Sequence, residues 1–399
     1  MNKFIVVAGV SKSHLLRTMK LLNDAKFLEI GITSFVPKNQ RWIQLVPRRL
    51  QFRLRSRLES IHDVPWQSSI WPEIVYQVGR ILHRRNLGFF SDYFLSISFI
   101  MYSKLADRVI QNFNNLDSYS LLVRAGFCKK IQKGNHFLII DASLAHPQTL
   151  PSLMATGEFG LSSIDSLSRI DKLIIEDLSK ADLILVNSDF VRDSYVFAGV
   201  DEQKIVVGYL PPLPIFLESV NFMNNQNSAL QILFAGGLEE RKGIELVREV
   251  ADLLTVANFD FHLKLIGNWG RVHQEVKLSL QSNSNVTIVP WMRERELASE
   301  MAKCDIFLFP SYAEGGARVV TEAMALGKVV VTSRNSGSPV THGHDGIISP
   351  LESKTLVDWI MELRRNTELK SILEMNALQT VRTKLSDSDY LNILLQINR

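Results

Sequence analysis

Residues 304–332 read CDIFLFPSYAEGGARVVTEAMALGKVVVT. Asp305 to Pro310 is a short apolar run of Ile, Leu and Phe, the composition of a strand buried on both faces of a parallel sheet. Ser311 to Gly316 is a loop with two glycines, and Ala317 to Leu326 is built of helix formers and closed by Gly327, where a helix C-cap belongs. Lys328 to Thr332 reads as the next strand. The unit is strand, loop, helix, strand, with its loop at the carboxyl end of a parallel strand.

Ligands of open α/β sheets sit outside the carboxyl ends of the strands, where the following helix presents unpaired N–H groups and the positive end of its dipole. Gly316, Ala317 and Arg318 offer those N–H groups to an anion, flanked by Glu314 in the loop and Glu322 in the helix. A helix starting near Gly316 puts Glu322 about two turns in, roughly 9–10 Å along the axis. Both acids then face one elongated ligand at different points.

In this frame the Glu314-x7-Glu322 pair resembles the signature of retaining glycosyltransferases of glycosyltransferase family 4, which have the GT-B fold: two Rossmann-like domains across a cleft. The resemblance implies that Glu314 meets the donor sugar, Glu322 the ribose hydroxyls, and Gly315 to Arg318 the sugar and phosphate. The segment Gly236-Gly237-Leu238-Glu239-Glu240-Arg241-Lys242-Gly243 resembles the family's G-R-L-x-x-x-K-G, in which Arg and Lys hold the donor diphosphate. Lys242 matches the Lys; Gly237 stands where the family has Arg, and the neighbouring Arg241 is the candidate substitute. A departing diphosphate needs its charge neutralised, by cations or by a metal. Pro290-Trp291 falls where the family packs the base, so Trp291 is either a stacking residue or a core tryptophan. His146, in the loop after NHFLIID, matches an N-domain His that faces the donor sugar, or is an ordinary loop histidine. Ser336-Gly337-Ser338-Pro339 resembles the family's G-G-x-P-E turn without its acid.

The remaining chain supports two domains. At 399 residues it exceeds what one core usually covers, and 46% hydrophobic with 22% charged residues is an ordinary globular composition. Phe4 to Ala8 reads as a first strand, and the Gly9 to Ser13 loop either faces the cleft or is a tight connection; the P-loop frame is missing. The run ADLILVNSDFVRDSYVFAGVDEQKIVVGYLP, residues 181–211, closes the first domain and also resembles the family. The organisation expected is an acceptor-binding domain over 1–210, a Pro- and Asn-rich linker over 211–229, a donor-binding domain over 230–375, and a C-terminal helix over 376–399 that returns to the first domain.

Charge and cysteines bound the partners. A net charge of +4 is too mild to imply nucleic acid, and no recognised nucleic-acid module accompanies the arginines. Residues 38–57 interleave Lys38, Arg41, Arg48, Arg49, Arg53, Arg55 and Arg57 with Trp42, Leu50, Phe52 and Leu54, a pattern of an interfacial segment on anionic lipid, a polyanion-gripping patch or a solvated basic face. Cys128 and Cys304 form no C-x-x-C pair, which favours a reducing, cytoplasmic setting. No window reaches the ~18 apolar residues of a transmembrane helix, so any membrane contact is expected to be peripheral. His342-Gly343-His344-Asp345 has metal-like residue types but reads as a surface turn, and Asp387-Ser388-Asp389 as a helix N-cap rather than a metal-binding D-x-D.

The function implied is transfer of a sugar from a UDP- or GDP-linked nucleotide-sugar donor to a glycan or lipid-linked acceptor with retention, without a protein-bound cofactor or metal. The departing phosphate accepts the acceptor's proton in such a mechanism, so no strong base is required. A nucleotide-sugar epimerase, a sugar-phosphate synthase or a non-catalytic binding protein on the same fold are the alternatives.

Overall fold

The computed structural model describes residues 2–9, 14–37, 43–44, 48–85, 87–113, 119–132, 134–218 and 229–398. Two all-parallel sheets organise it. The first holds β1 (Lys3–Gly9), β2 (Leu28–Thr33), β3 (Trp66–Ser68), β4 (Tyr119–Arg124), β5 (Phe137–Ala142), β6 (Leu183–Val186) and β7 (Ile205–Val207) in the order β3-β2-β1-β4-β5-β6-β7. The second holds β8 (Leu230–Ala235), β9 (Phe261–Ile266), β10 (Val286–Val289), β11 (Ile306–Phe309), β12 (Val329–Thr332) and β13 (Ile347–Ile348) in the order β10-β9-β8-β11-β12-β13. Both orders reverse direction after a central strand, the doubly wound pattern whose reversal point opens a crevice at the strand ends. That point lies between β1 and β4 in one sheet and between β8 and β11 in the other.

The central strands are continuous apolar runs because helices cover both faces. Every residue of Leu183–Val186, Ile306–Phe309 and Val329–Thr332 is buried. Each sheet has its own core. Phe234, Phe307, Phe309 and Val330 anchor the second; the first is split by its sheet into a layer around Tyr102 and Phe127 and one around Phe4, Leu16 and Met19.

The C-terminal segment joins the two bodies. Helix Thr367–Lys384 buries Leu373, Ala377 and Val381 in the second core. Helix Asp387–Gln396 buries Tyr390 and Leu394 in the first, with Asn398 Oδ1 accepting from Ser120 Oγ at 2.7 Å. The chain therefore crosses between Leu385 and Tyr390 rather than at residue 376, because the longer helix keeps burying apolar side chains on the second sheet. Arg17 holds both crossings. Its guanidinium donates to the carbonyls of Pro211 (2.9 Å) and Pro212 (3.0 Å) in the connection and lies 2.6 Å from Asp387.

The expectations for Val10 to Ser13, for Lys38, Arg41 and Trp42, and for the linker over 219–228 lie outside the described residues. Arg57 is turned inward: its Nη1 donates to Ser34 Oγ at 2.7 Å and pairs with Glu73 at 3.2 Å, so it takes no part in an outward basic face.

Candidate functional site

The crevice between β8 and β11 brings together Gly236, Gly237, Arg241, Lys242 and Glu314. Gly236 and Gly237 follow β8, and the turn Glu240–Lys242 brings Arg241 and Lys242 against the loop after β11. Arg241 Nη1 lies 2.8 Å and Lys242 Nζ 3.0 Å from the same oxygen, Glu314 Oε1. Neither cation is aligned as a hydrogen-bond donor to it, so the contact is ionic. Arg241 is fixed further by Ala313 O (2.7 Å) and Glu239 Oε1 (3.0 Å), and Lys242 lies over the Phe309 ring at 5.3 Å. The arrangement needs Gly243, whose φ is +75° and whose added Cβ would stand 1.9 Å from Pro310 O. The cation beside Lys242 on Glu314 is thus Arg241, four residues after Gly237.

The helix after this loop starts later than its composition implies. It runs Arg318–Ala325, so Glu322 stands one turn in, about 6 Å along the axis. The Ala317 N–H donates to Ser336 O at 2.9 Å and is spent inside the domain, whereas those of Gly315 and Gly316 meet no acceptor among the described residues. Glu322 is 3% exposed and 3.2 Å from Arg318 Nε. Burial raises its carboxyl to about 7; Arg318 and Arg17 oppose the shift and Glu294 adds to it. Those three neighbours line a cavity of about 350 Å³ between the two domains, together with His14, Lys20 and Asp387. Trp291, three residues before Glu294, is 53% exposed.

The first domain meets this loop directly. Ser188, the N-cap of helix Asp189–Phe197 at the end of β6, accepts from Val191 N and donates to Gly315 O at 2.5 Å. A Cβ on Gly315 would lie 1.8 Å from Ser143 O, so only glycine permits this approach. Asn335 Nδ2 donates to Gly157 O at 2.6 Å and Arg334 pairs with Asp193 at 2.7 Å, tying the same two surfaces.

Behind Ser143 lies a second cavity, of about 230 Å³, at the ends of β4 and β5. Arg124 and Asp141 line it along with Phe99, Leu144, Ile174 and Tyr195. Asp141 is fully buried: Oδ1 is 2.9 Å from His14 Nε2, and Oδ2 has no partner among the described residues. A buried carboxylate oxygen without a partner is rare in a folded protein and calls for an explanation. This His14–Asp141 contact is what sequence reasoning missed. The two residues are 127 positions apart, joined only because β1 and β5 flank β4 in the sheet. The available signal was that each follows or ends a strand.

His146, expected either to face the donor sugar or to be an ordinary loop histidine, sits in the first domain. It is buried, edge-on to Tyr195 at 5.1 Å, and its Nδ1 accepts from Gln148 N at 3.3 Å. Burial pushes its imidazole down to about 4, so it is uncharged at neutral pH. No described contact joins it to Glu314 or Lys242. The Asp345 carboxylate is consumed by Thr341 N (2.7 Å) and Thr380 Oγ1 (2.8 Å), and the His342 Nδ1 accepts from Ile348 N. At Asp387-Ser388-Asp389, Ser386 is the helix N-cap and Asp389 completes its capping box.

Residues 219–380 match the family model described as glycosyl transferases group 1. An uncharacterized glycosyltransferase of Methanocaldococcus jannaschii is 25% identical over 264 residues, covering 62% of this chain and 71% of that protein. An N,N'-diacetylbacillosaminyl-diphospho-undecaprenol alpha-1,3-N-acetylgalactosaminyltransferase of Campylobacter jejuni is 29% identical over 209 residues, covering 48% of this chain and 53% of that protein, about half its length. Among solved structures, Anabaena HepE in complex with UDP and glucose superimposes with a TM-score of 0.63 at 16% identity, covering 100% of this chain and 98% of that one. The chain thus has the GT-B architecture and carries, in its second half, a domain of the glycosyl transferases group 1 type.

Proposed function

We propose that the chain transfers a sugar from a nucleoside diphosphate donor, UDP-linked by analogy with the ligand of HepE, to a hydroxyl of a glycan or lipid-linked acceptor, with retention at the anomeric carbon. The observation that carries this is the convergence of Arg241 and Lys242 on one oxygen of Glu314 at the reversal point of the second sheet. A donor diphosphate brings its own negative charge to those cations, and the Gly315 and Gly316 amides add donors beside it. Glu314 is then released toward the sugar, and Glu322 with Trp291 toward the ribose and base.

In the transfer, the bond from the anomeric carbon to the diphosphate oxygen breaks and one to the acceptor oxygen forms on the same face. The acceptor's proton leaves on the diphosphate. Arg241 and Lys242 stabilise the charge that develops there, a contribution of several kcal/mol when such donors are preorganised. The acceptor enters from the first domain, in the cavity that Arg124 and Asp141 line, with Asp141 positioned there by His14. An acceptor of the lipid-diphosphate class, like the one in the name of the Campylobacter relative, would hold the reaction at a membrane face. Turnover of UDP-sugars by wild type, Glu314→Ala and Lys242→Ala is the test. Equal rates in all three would remove the site, and an inverted anomeric configuration in the product would remove the stereochemical part.

A further inference from the structure

Two helices of the first domain form an antiparallel hairpin whose outer face is built in reverse. Helix Ile70–Arg84 exposes Ile70, Trp71, Ile74, Val78 and Ile81, which recur on one side of the helix. Helix Gly88–Gln111 is apolar nearly all round, and its first half buries Ser91, Ser96 and Ser98 while leaving Phe89, Phe90 and Tyr93 exposed. Ser98 Oγ donates to Pro72 O at 2.7 Å, and Gly79 lets the two helices approach so closely that a Cβ there would meet Leu95 Cγ at 2.8 Å. The small residues are used to bring the helices together and the large ones are left outside. Trp71 at 65%, Phe89 at 71% and Phe90 at 55% exposure, with Ile74, Val78 and Ile81 between them along the hairpin, are more large apolar side chains than scattered surface residues account for.

Neither acid beside these side chains is without a partner. Between Ile70 and Ile97 the acidic residues are Glu73 and Asp92. Glu73 is turned inward to Arg57 and Ser34, and Asp92 is occupied by the Arg169 N–H at 3.0 Å. Arg85 is exposed at the hairpin turn, and Arg169, which pairs with Asp92 at 3.9 Å, lies over the rings of Phe89 (5.7 Å) and Tyr93 (5.2 Å). Aromatic and aliphatic side chains bordered by arginines on an exposed helical face are the features of a segment that lies in a lipid headgroup region. No helix among the described residues is long and apolar enough to cross a membrane, so the hairpin lies on the surface rather than through it.

We propose that the outer face of the Ile70–Arg84 and Gly88–Gln111 hairpin is a docking surface for an anionic lipid bilayer. The placement also serves the transfer, and here the inference rests on the function proposed above. The exposed Phe89 and the cavity-lining Phe99 are on the same helix, about 15 Å apart along its axis, so an acceptor anchored in the bilayer reaches the Asp141 cavity alongside that helix.

The test is co-sedimentation of the full chain with vesicles of phosphatidylglycerol mixed with phosphatidylcholine, against phosphatidylcholine alone. Wild type is expected to partition onto the anionic vesicles, and high salt to weaken that binding. The combined variant Trp71→Ser, Phe89→Ser, Phe90→Ser is expected to lose about tenfold or more in partitioning, and Arg85→Glu a few-fold, with melting temperature and soluble-donor hydrolysis unchanged. Failure of wild type to bind anionic vesicles, or equal binding by the triple variant, overturns the proposal. So does light scattering that shows a wild-type dimer dispersed by the triple variant without any vesicle binding, which would make a second copy the occupant. Donor hydrolysis, measured without lipid, reports separately on the transferase function.

Discussion

His14 Nε2 lies 2.9 Å from Asp141 Oδ1, so the residue that caps the helix after β1 holds one oxygen of a buried carboxylate at the end of β5, in the wall of a cavity. Hydrogen bonds to charged groups contribute about 1.5–3 kcal/mol, equivalent to roughly 10- to 100-fold in rate or affinity. Asp141→Asn, which keeps the volume, is therefore expected to cut transfer to the acceptor by about that factor. Donor hydrolysis and nucleotide binding should stay near wild type. Parallel assays of transfer and hydrolysis check it; equal loss in both would place Asp141 in the scaffold rather than at the acceptor.

Arg241 and Lys242 share one carboxylate oxygen, and their effects should not add. Lys242→Ala is expected to lower kcat about 10²–10³-fold, the loss typical for one preorganised donor to developing charge. Arg241→Ala should cost comparably, because no arginine stands at Gly237 to substitute. The double variant should fall well short of the product of the two losses. Steady-state kinetics on the three proteins measures the coupling, and strict multiplicativity would show that the two cations act independently.

Glu322 supplies a pH signature. Burial raises its carboxyl from 4.5 to about 7, so the folded state binds this proton more tightly than the unfolded chain does. The resulting stabilisation is complete below about pH 4.5 and is lost as pH rises through about 7, at most about 3 kcal/mol in all. Glu322→Gln keeps the neutral shape at every pH. Between about pH 5 and about pH 8 the wild-type melting temperature should therefore drop relative to the variant's. Thermal melts across that range decide it, and parallel curves would mean that Glu322 does not titrate there.

Gly315→Ala tests the seam between the domains. The new methyl would overlap Ser143 O at 1.8 Å, and both atoms belong to backbone. The loop has to withdraw, which breaks the Ser188–Gly315 hydrogen bond and is expected to cost about 1–3 kcal/mol. Small-angle scattering should show a larger radius of gyration for the variant, together with a lower melting temperature. An unchanged radius with full activity would show that the approach seen here is not required.

Much of this was legible along the chain. The apolar runs before Pro310 and after Gly327 became β11 and β12, and the Gly-rich approach to Lys242 became the turn beside Glu314. Composition misplaced the start of the next helix because Glu314 and Ala317 are held by the neighbouring Arg334–Ser336 turn, with Glu314 N bonded to Asn335 O and Ala317 N to Ser336 O. His146 carried a family pattern, but Ser194 and Tyr195 draw it into the first core. The exposed hairpin could not be foreseen either, since a helix that is apolar all round normally reads as a buried one.

The order of strands and loops, and with it the two-sheet architecture and the donor side of the site, was determined by local pattern: buried parallel strands are continuous apolar runs, and glycine marks the turns between them. Only the tertiary structure decided which distant groups meet. Arg17 at both domain crossings, His14 at Asp141 and Ser188 at Gly315 are pairings set by strand order and by the closing of one domain on the other. Such contacts depend on position in space, and no periodicity along the chain encodes them.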